Sequence, residues 1–572
     1  MQGQKSQIAT PYGGGLFKWE LKFLGLFLAL ISFCNFIFAR NTSALFVPTL
    51  SASVDQANLQ VNGNQVINST DKTTEIPFNF TVNTNNRTGY TATLSAETEN
   101  TALTNSSSTT GAKIDSISSA ELLGGFSNNT WGYKFGSSMN YAPIPALSTP
   151  AQIIQTAGKT NGNESNQLSI GMKLSDNLES GNYTNKLILS FVSNPYTMRA
   201  MMTNGPDFNT RVGNLDPNPA YYSGPDSPLT KPSIKGFKRS TVAPVSSVST
   251  INIEDPDLSD YEIKAWYNAA DQSVYYYAPV AVTYLNPNSR GMFQWFTKIE
   301  SLDFSNIDTS EVNKMHAMFY WMQNLKTINF GNFNTSNVTD MTAMFGCTFS
   351  LTELDLSSFD TSSVTQMSYM FHGTYVQKLD LSNFNTSNVI NMYSMFEATS
   401  RLKEIKFGDN FNTEKVTNMG RMFTNTPVLV GLNLSKFNTK NVTNMAHMFG
   451  GMNAIENLSL TSFDTSNVTT MNGMFSSMLS LKILDISTFN TQNVTDMGYI
   501  FAINNYESDN LTTIYASDRF TTNNVVASQG IFNYRKRLRG GNGSFLTDPN
   551  TADLTWLRVD RPGVQGYFTR KS

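Results

Sequence analysis

The chain has 572 residues, a formal net charge of −3 and only 15 % charged residues. That balance excludes a whole-molecule electrostatic nucleic-acid binder, and the length allows several domains. With two cysteines, Cys34 and Cys347, neither a disulfide framework nor a cysteine zinc site can be built.

Lys5, Lys18 and Lys22 precede an apolar run at 23–39, interrupted by Ser32 and Asn35. Positive charge before an apolar run predicts a cytoplasmic N-terminus and an exported remainder. Residues 1–49 are therefore expected to be an export signal, cleaved or kept as a membrane anchor. With no hydrophobic tail before Ser572, attachment to a cell is expected to rest on this segment.

Residues 50–195 hold short β-rich runs at 75–83, 90–94, 131–135, 167–174 and 183–192, separated by Gly, Asn and Ser clusters. This pattern predicts an all-β, sandwich-like (Ig-like) module. Trp131 and Tyr133 alternate with polar residues and read as core, with a sugar-stacking pair as the alternative. Residues 196–248 are rich in Pro, Gly and Asn, show no period, and are expected to form a semi-extended linker. Residues 249–288, with Trp266, Tyr267 and 275–277, read as strands that form an N-terminal cap on a repeat array beginning at 289.

From 289 to 534 one phrase is written about nine times. Its clearest copy is LTELDLSSFDTSSVTQMSYMF at 351–371. Met-Phe pairs close the copies at Phe319, Phe345, Phe371, Phe396, Phe423, Phe449 and Phe475, and Ile500-Phe501 closes another. Successive spacings are 26, 26, 25, 27, 26, 26 and 26 residues. A fixed period of this length signals a repeat array in which stacked neighbours bury what a single copy cannot. Leu354 and Leu356, two apart, predict a short strand. Val364, Met367, Met370 and Phe371 predict a short helical stripe, and Asp360-Thr361-Ser362 supplies oxygens suited to capping it. The fold class expected is therefore an α/β solenoid, with one strand and one short helix per copy and a continuous parallel sheet. The Met and Phe positions are expected to be core.

The phrase F-[N/D]-T-S-N-V-T-x-M, as at 333–341, 384–392, 437–445 and 463–471, resembles the leucine-rich repeat of BspA-type bacterial surface proteins. The resemblance implies a leucine-rich-repeat surface protein with a binding role in adhesion and no catalytic residue.

The residue between the last two apolar positions of L-x-x-L-x-L points outward. Down the array these are Asp303, Asn329, Asp355, Asp380, Lys406, Asn433, Ser459 and Asp485, followed by Tyr515. They are the candidate partner-binding residues. Residues 535–572 carry Arg535, Lys536, Arg537, Arg539, Arg558, Arg561, Arg570 and Lys571 and read as a C-terminal cap with a basic outer face.

No phosphate loop, dinucleotide fingerprint or nucleophile elbow appears. His316, His372 and His447 lie in separate copies and read as structural. The chain is thus expected to be no enzyme, to need no cofactor and no metal, and to bind no nucleic acid. Its expected partner is an extracellular protein or glycan on host or other microbial cells. The alternative is an envelope protein that associates with its own kind.

Overall fold

The computed structural model describes residues 45–217, 224–226 and 232–571. The export segment expected at 1–49, with Cys34, lies almost wholly outside the described residues. No described helix is long and apolar enough to cross a membrane. The chain divides into two compact units, with the boundary at Met198 and Arg199.

The described residues of the first unit form β1 (Leu50–Val54), α1 (Gly63–Ile67), β2 (Thr73–Thr84), β3 (Tyr90–Ala96), β4 (Leu103–Thr104), β5 (Lys113–Ser116), a 3-10 turn at Leu123–Gly125, β6 (Thr130–Phe135), β7 (Ala151–Gln155), β8 (Glu164–Lys173) and β9 (Leu187–Ser193). They form a six-stranded sheet ordered β1-β2-β8-β6-β5-β4 and a three-stranded sheet ordered β7-β3-β9. Alternate residues of β2 (Phe78, Phe80 and Val82) share one core with Leu94 of β3, Ile170 of β8 and Leu189 of β9. Trp131 is fully buried, and its indole N–H donates to the Thr101 carbonyl at 3.0 Å.

The second unit opens inside the span read as a linker, and here the expectation is corrected. β10 (Ala200–Met201), α2 (Gly205–Gly213) and β11 (Gly236–Arg239) fall within 196–248. Phe208, Val212, Ile234 and Phe237 are buried in the same core as the repeats. The prolines and glycines there serve as caps and turns: Asn204 accepts the Asp207 N–H, and Pro206 sits in the first turn of α2. From inside α2, the Asn209 amide donates to the carbonyls of Gly291, Met292 and Gln294 at 2.9–3.2 Å and pins the helix to the opening copy. β12 (Ile251–Asn252), β13 (Lys264–Asn268) and β14 (Ser273–Tyr277) come next, in a sheet ordered β11-β14-β13-β12.

The repeats themselves contain no helix, which overturns the strand-plus-helix α/β fold class. The segment Met341–Cys347 shows why. Ala343 and Cys347 adopt left-handed backbone, with φ of 54° and 59°. The equivalent pairs recur at Ala317 and Trp321, Ser394 and Ala398, and Arg421 and Asn425. A right-handed helix cannot pass through such a residue. The chain instead makes two tight turns, with Met344 N–H bonded to the Met341 carbonyl and Gly346 N–H to that of Ala343. The alternate N–H groups of Met341, Ala343, Phe345 and Cys347 donate to the carbonyls of Gln366, Ser368, Met370 and His372 in the next copy, at 2.7–3.0 Å. Backbone hydrogen bonding thus runs between copies, as in a parallel ladder. Matching bridges step through Asn288, Lys314, Asp340, Gln366, Asn391, Asn418, Asn444, Thr470, Asp496 and Ala527.

The continuous parallel sheet is also absent. β15 (Thr283–Tyr284) pairs with β10 and with β17 (Ile307–Asp308); β16 (Ser301–Asp303) pairs with β18 (Thr327–Asn329); β19 (Lys378–Leu381) pairs with β20 (Glu404–Phe407). β21 (Ile483–Asp485), β22 (Thr513–Ala516) and β23 (Phe568–Arg570) form a fourth patch, with β23 covering the last copy. The corresponding segments at 351–356, 429–434 and 457–460 carry no strand. The second unit is a stack of turns and short strands rather than a leucine-rich-repeat solenoid.

Its interior is a column of ten stacked phenylalanines from Phe293 to Phe532, with ring centroids 5.3–6.2 Å apart and planes within 19°. Met341, Met344, Met367 and Met370 and their counterparts are fully buried around it. At the far end, Arg535 is not part of a basic outer face. It is buried, with its guanidinium on Asp509 at 3.2 Å and on the Phe501 carbonyl at 2.5 Å.

Candidate functional site

The outward column of L-x-x-L-x-L is built by its neighbours. Leu354 and Leu356 turn inward, so Asp355 between them turns out. Asp303, Asn329, Asp355, Asp380, Lys406, Asn433 and Ser459 are exposed and Asp485 is half-buried. In β16–β18, β19–β20 and β21–β22, column residues sit side by side: Asp303 by Asn329, Asp380 by Lys406, and Asp485 by Tyr515.

Most of the column has local work to do. Asp303, Asn329, Asp355, Asp380, Asn433 and Asp485 each accept the backbone N–H two residues on, at 2.9–3.2 Å. These are Asx turns that swing the chain from the strand position into the corner. Hydrogen bonds from Ser357 hold the Asp355 carboxyl below its usual range, and those from Ser382, aided by Lys406, do the same for Asp380. Several members also pair along the stack. The Asn329 amide donates to Asp303 at 2.9 Å, Lys406 meets Asp380 at 3.1 Å, and Lys571 meets Asp485. Flanking charges do likewise, with Lys326 on Glu300 and Lys378 on Glu404.

One stretch differs. At the break between β18 and β19 a groove of about 710 Å³ is lined by Lys326, Ile328, Phe349, Glu353, Asp355 and Arg401, among others. Among the described residues, Glu353, Asp355 and Arg401 meet no opposite charge in an ion pair. The Arg401 guanidinium lies 4.4 Å over the Tyr375 ring, and Tyr375 packs on Phe349 with centroids 5.5 Å apart. Both rings are half-buried. The column was legible in the sequence. Phe349, Tyr375 and Arg401 were not, because they stand at positions the repeat leaves variable.

The three histidines do not meet as a triad. His316 lies 3.8 Å from Asp340 and His372 lies 3.7 Å from Glu397, across neighbouring copies in each case. Among the described residues no three His, Cys, Asp or Glu side chains gather as a metal ion would require.

The family model described as "Mycoplasma protein of unknown function, DUF285" matches residues 288–408 and 399–515. No curated protein matches the chain. The resemblance to BspA-type leucine-rich repeats is corrected accordingly: the matched model is DUF285, and the copies lack the expected strand-and-helix build.

Proposed function

We propose that the chain is a non-enzymatic binding protein that works outside the cell, and that the groove beside Asp355 takes an extracellular protein. The observation that carries this reading is the contrast within the column. Its other carboxylates are occupied along the stack, whereas Glu353, Asp355 and Arg401 converge on the groove without ion-pair partners, beside Phe349 and Tyr375. Half-exposed aromatic rings with an arginine are what binding hot spots use. An open groove with both charge signs suits a protein surface better than a small molecule. Export rests on the sequence alone, on the lysines before the apolar run at 23–39.

The test is binding of the intact chain to immobilised matrix proteins, glycans and whole cells, at low salt and at about 0.5 M salt. The expected result is a protein ligand whose binding is lost in Arg401→Ala and Tyr375→Ala. Binding that survives both substitutions sinks the reading. Self-association in light scattering, with no foreign ligand bound, replaces it with an envelope protein that packs with its own kind.

A further inference from the structure

A second feature lies on the turn segments, away from the L-x-x-L-x-L column. Two turn positions vary from copy to copy: Gly291, Ala317, Ala343 and Gly473 stand at one and Gly346, Gly450 and Ala502 at the other, with Gln294, Tyr320, Tyr499 and Asn533 as larger exceptions. Over four successive copies six large polar side chains gather here, among the smaller Ser394, Thr424 and Gly450. We propose that Tyr369, His372, Tyr393, Glu397, Arg421 and His447 form a saccharide-binding patch.

The geometry draws these groups together. Glu397 is nearly buried, with Arg421 Nη1 on Oε1 at 3.0 Å and His372 Nδ1 3.7 Å from Oε2. The Tyr369 ring meets His372 at 5.6 Å and Tyr393 at 5.4 Å, edge to face in both cases. The His447 imidazole lies over Gly473, where a Cβ would come within 2.3 Å of Nδ1. A side chain at this position would displace that ring. A regular structural ladder would repeat these residues in every copy, and this one occurs once.

The chemistry favours a neutral polyhydroxylated ring. One carboxylate faces one guanidinium, so no net charge is left to select an ion. His372 Nδ1 is buried, has no hydrogen-bond partner and faces the Glu397 carboxylate. That placement favours the proton on Nδ1 and leaves Nε2 an acceptor on a half-exposed ring. Arg421 spends one nitrogen on Glu397, and its other donors have no partner among the described residues. The tyrosines add hydroxyls and apolar ring faces. Adjacent hydroxyls on a sugar need this set of donors and acceptors, held at fixed angles beside an aromatic surface.

The experiment is a glycan array probed with the full chain, followed by calorimetry with the free oligosaccharide retained best. Tyr369→Ala and Tyr393→Ala should each weaken binding roughly tenfold or more. Arg401→Ala, in the groove, should leave it unchanged. Each variant is checked by thermal melting, so lost binding is read only from folded protein. No glycan retained by the wild type, or equal retention by both tyrosine variants, overturns the proposal. Loss of glycan binding in Arg401→Ala also overturns it, because the sugar would then lie in the groove.

Discussion

The Thr361 hydroxyl bonds twice to one residue of the next copy: it donates to the Asn385 carbonyl at 2.9 Å and accepts the Asn385 N–H at 2.9 Å. Thr335 does the same with Asp360, and Thr439 with Asp464. These threonines are fully buried. They act as rungs between copies, and it is Asp360 that caps its own turn through the Ser362 N–H.

Removing one rung takes the partner from the N–H and the carbonyl of a half-buried residue, Asn385. Thr361→Val should cost about 1–3 kcal/mol, read as a lower denaturation midpoint of the second unit. Thr361→Ser keeps the hydroxyl and should recover most of the loss. Equal midpoints for Val and wild type would show that the rung contributes nothing.

Left-handed backbone at a non-glycine residue is strained, and Ala343 carries that strain at φ 54°. Ala343→Gly should leave stability unchanged or raise it by up to about 1 kcal/mol. Ala343→Val, β-branched, should lower it clearly. A helical turn at this position would reverse the order, so the two melting temperatures decide between the builds.

These turns explain why the helix was the wrong reading of a correct pattern. Met341, Met344 and Phe345 point inward in a double turn at the spacing they would have in a helix. The period, the buried Met and Phe columns and the outward Asp355 were all legible. The left-handed positions were not, because Ala343, Tyr369, Arg421 and His447 occupy them. Gly291, Gly373, Gly451, Gly473 and Gly530 at equivalent places hinted at positive φ. The hydroxyl of Thr361 reads from sequence as a cap because only the stack supplies its true partner. The patch around Glu397 was hidden for the same reason: its members are far apart in sequence and adjacent only across copies.

Burial pushes the imidazoles of His316, His372 and His447 below the ordinary 6.5. His316 faces Asp340, Arg290 and Asp226; His372 faces Glu397; His447 faces Arg421, Glu397, Asp496 and Asn472. The unfolded chain therefore takes up protons first as pH falls, and the fold loses stability below 6.5 while keeping it above. The melting temperature should fall between about pH 7.5 and about pH 5.5, with a flatter slope in the His372→Gln, His447→Gln double variant. Carboxylates held low by hydrogen bonds, such as Asp355 and Asp380, add their own loss only at more acid pH. A flat profile across the window would mean the imidazoles are not held neutral.

The methionines of the stack have no accessible surface, whereas Met139 in the first unit is 79 % exposed. Under mild peroxide Met139 should oxidise first, and the stack methionines only as fast as the second unit opens. Peptide mapping against time reads both. Chains oxidised while unfolded should fail to regain the native melt, because a sulfoxide is polar and has no place beside the phenylalanine column.

The phenylalanine column also sets a rule for how such a chain can change in length. The step from Phe396 to Phe423 has one residue more than the usual 26, and the step from Phe501 to Phe532 has several more; the rings nevertheless stay 5.4 and 5.3 Å apart. Extra residues are taken up in the outer corners and never in the turn that carries the ring. The array is a ruler with fixed divisions. A whole copy can be gained or lost, moving its two ends by about 4.8 Å, while a single residue added inside the turn would put every later ring out of line.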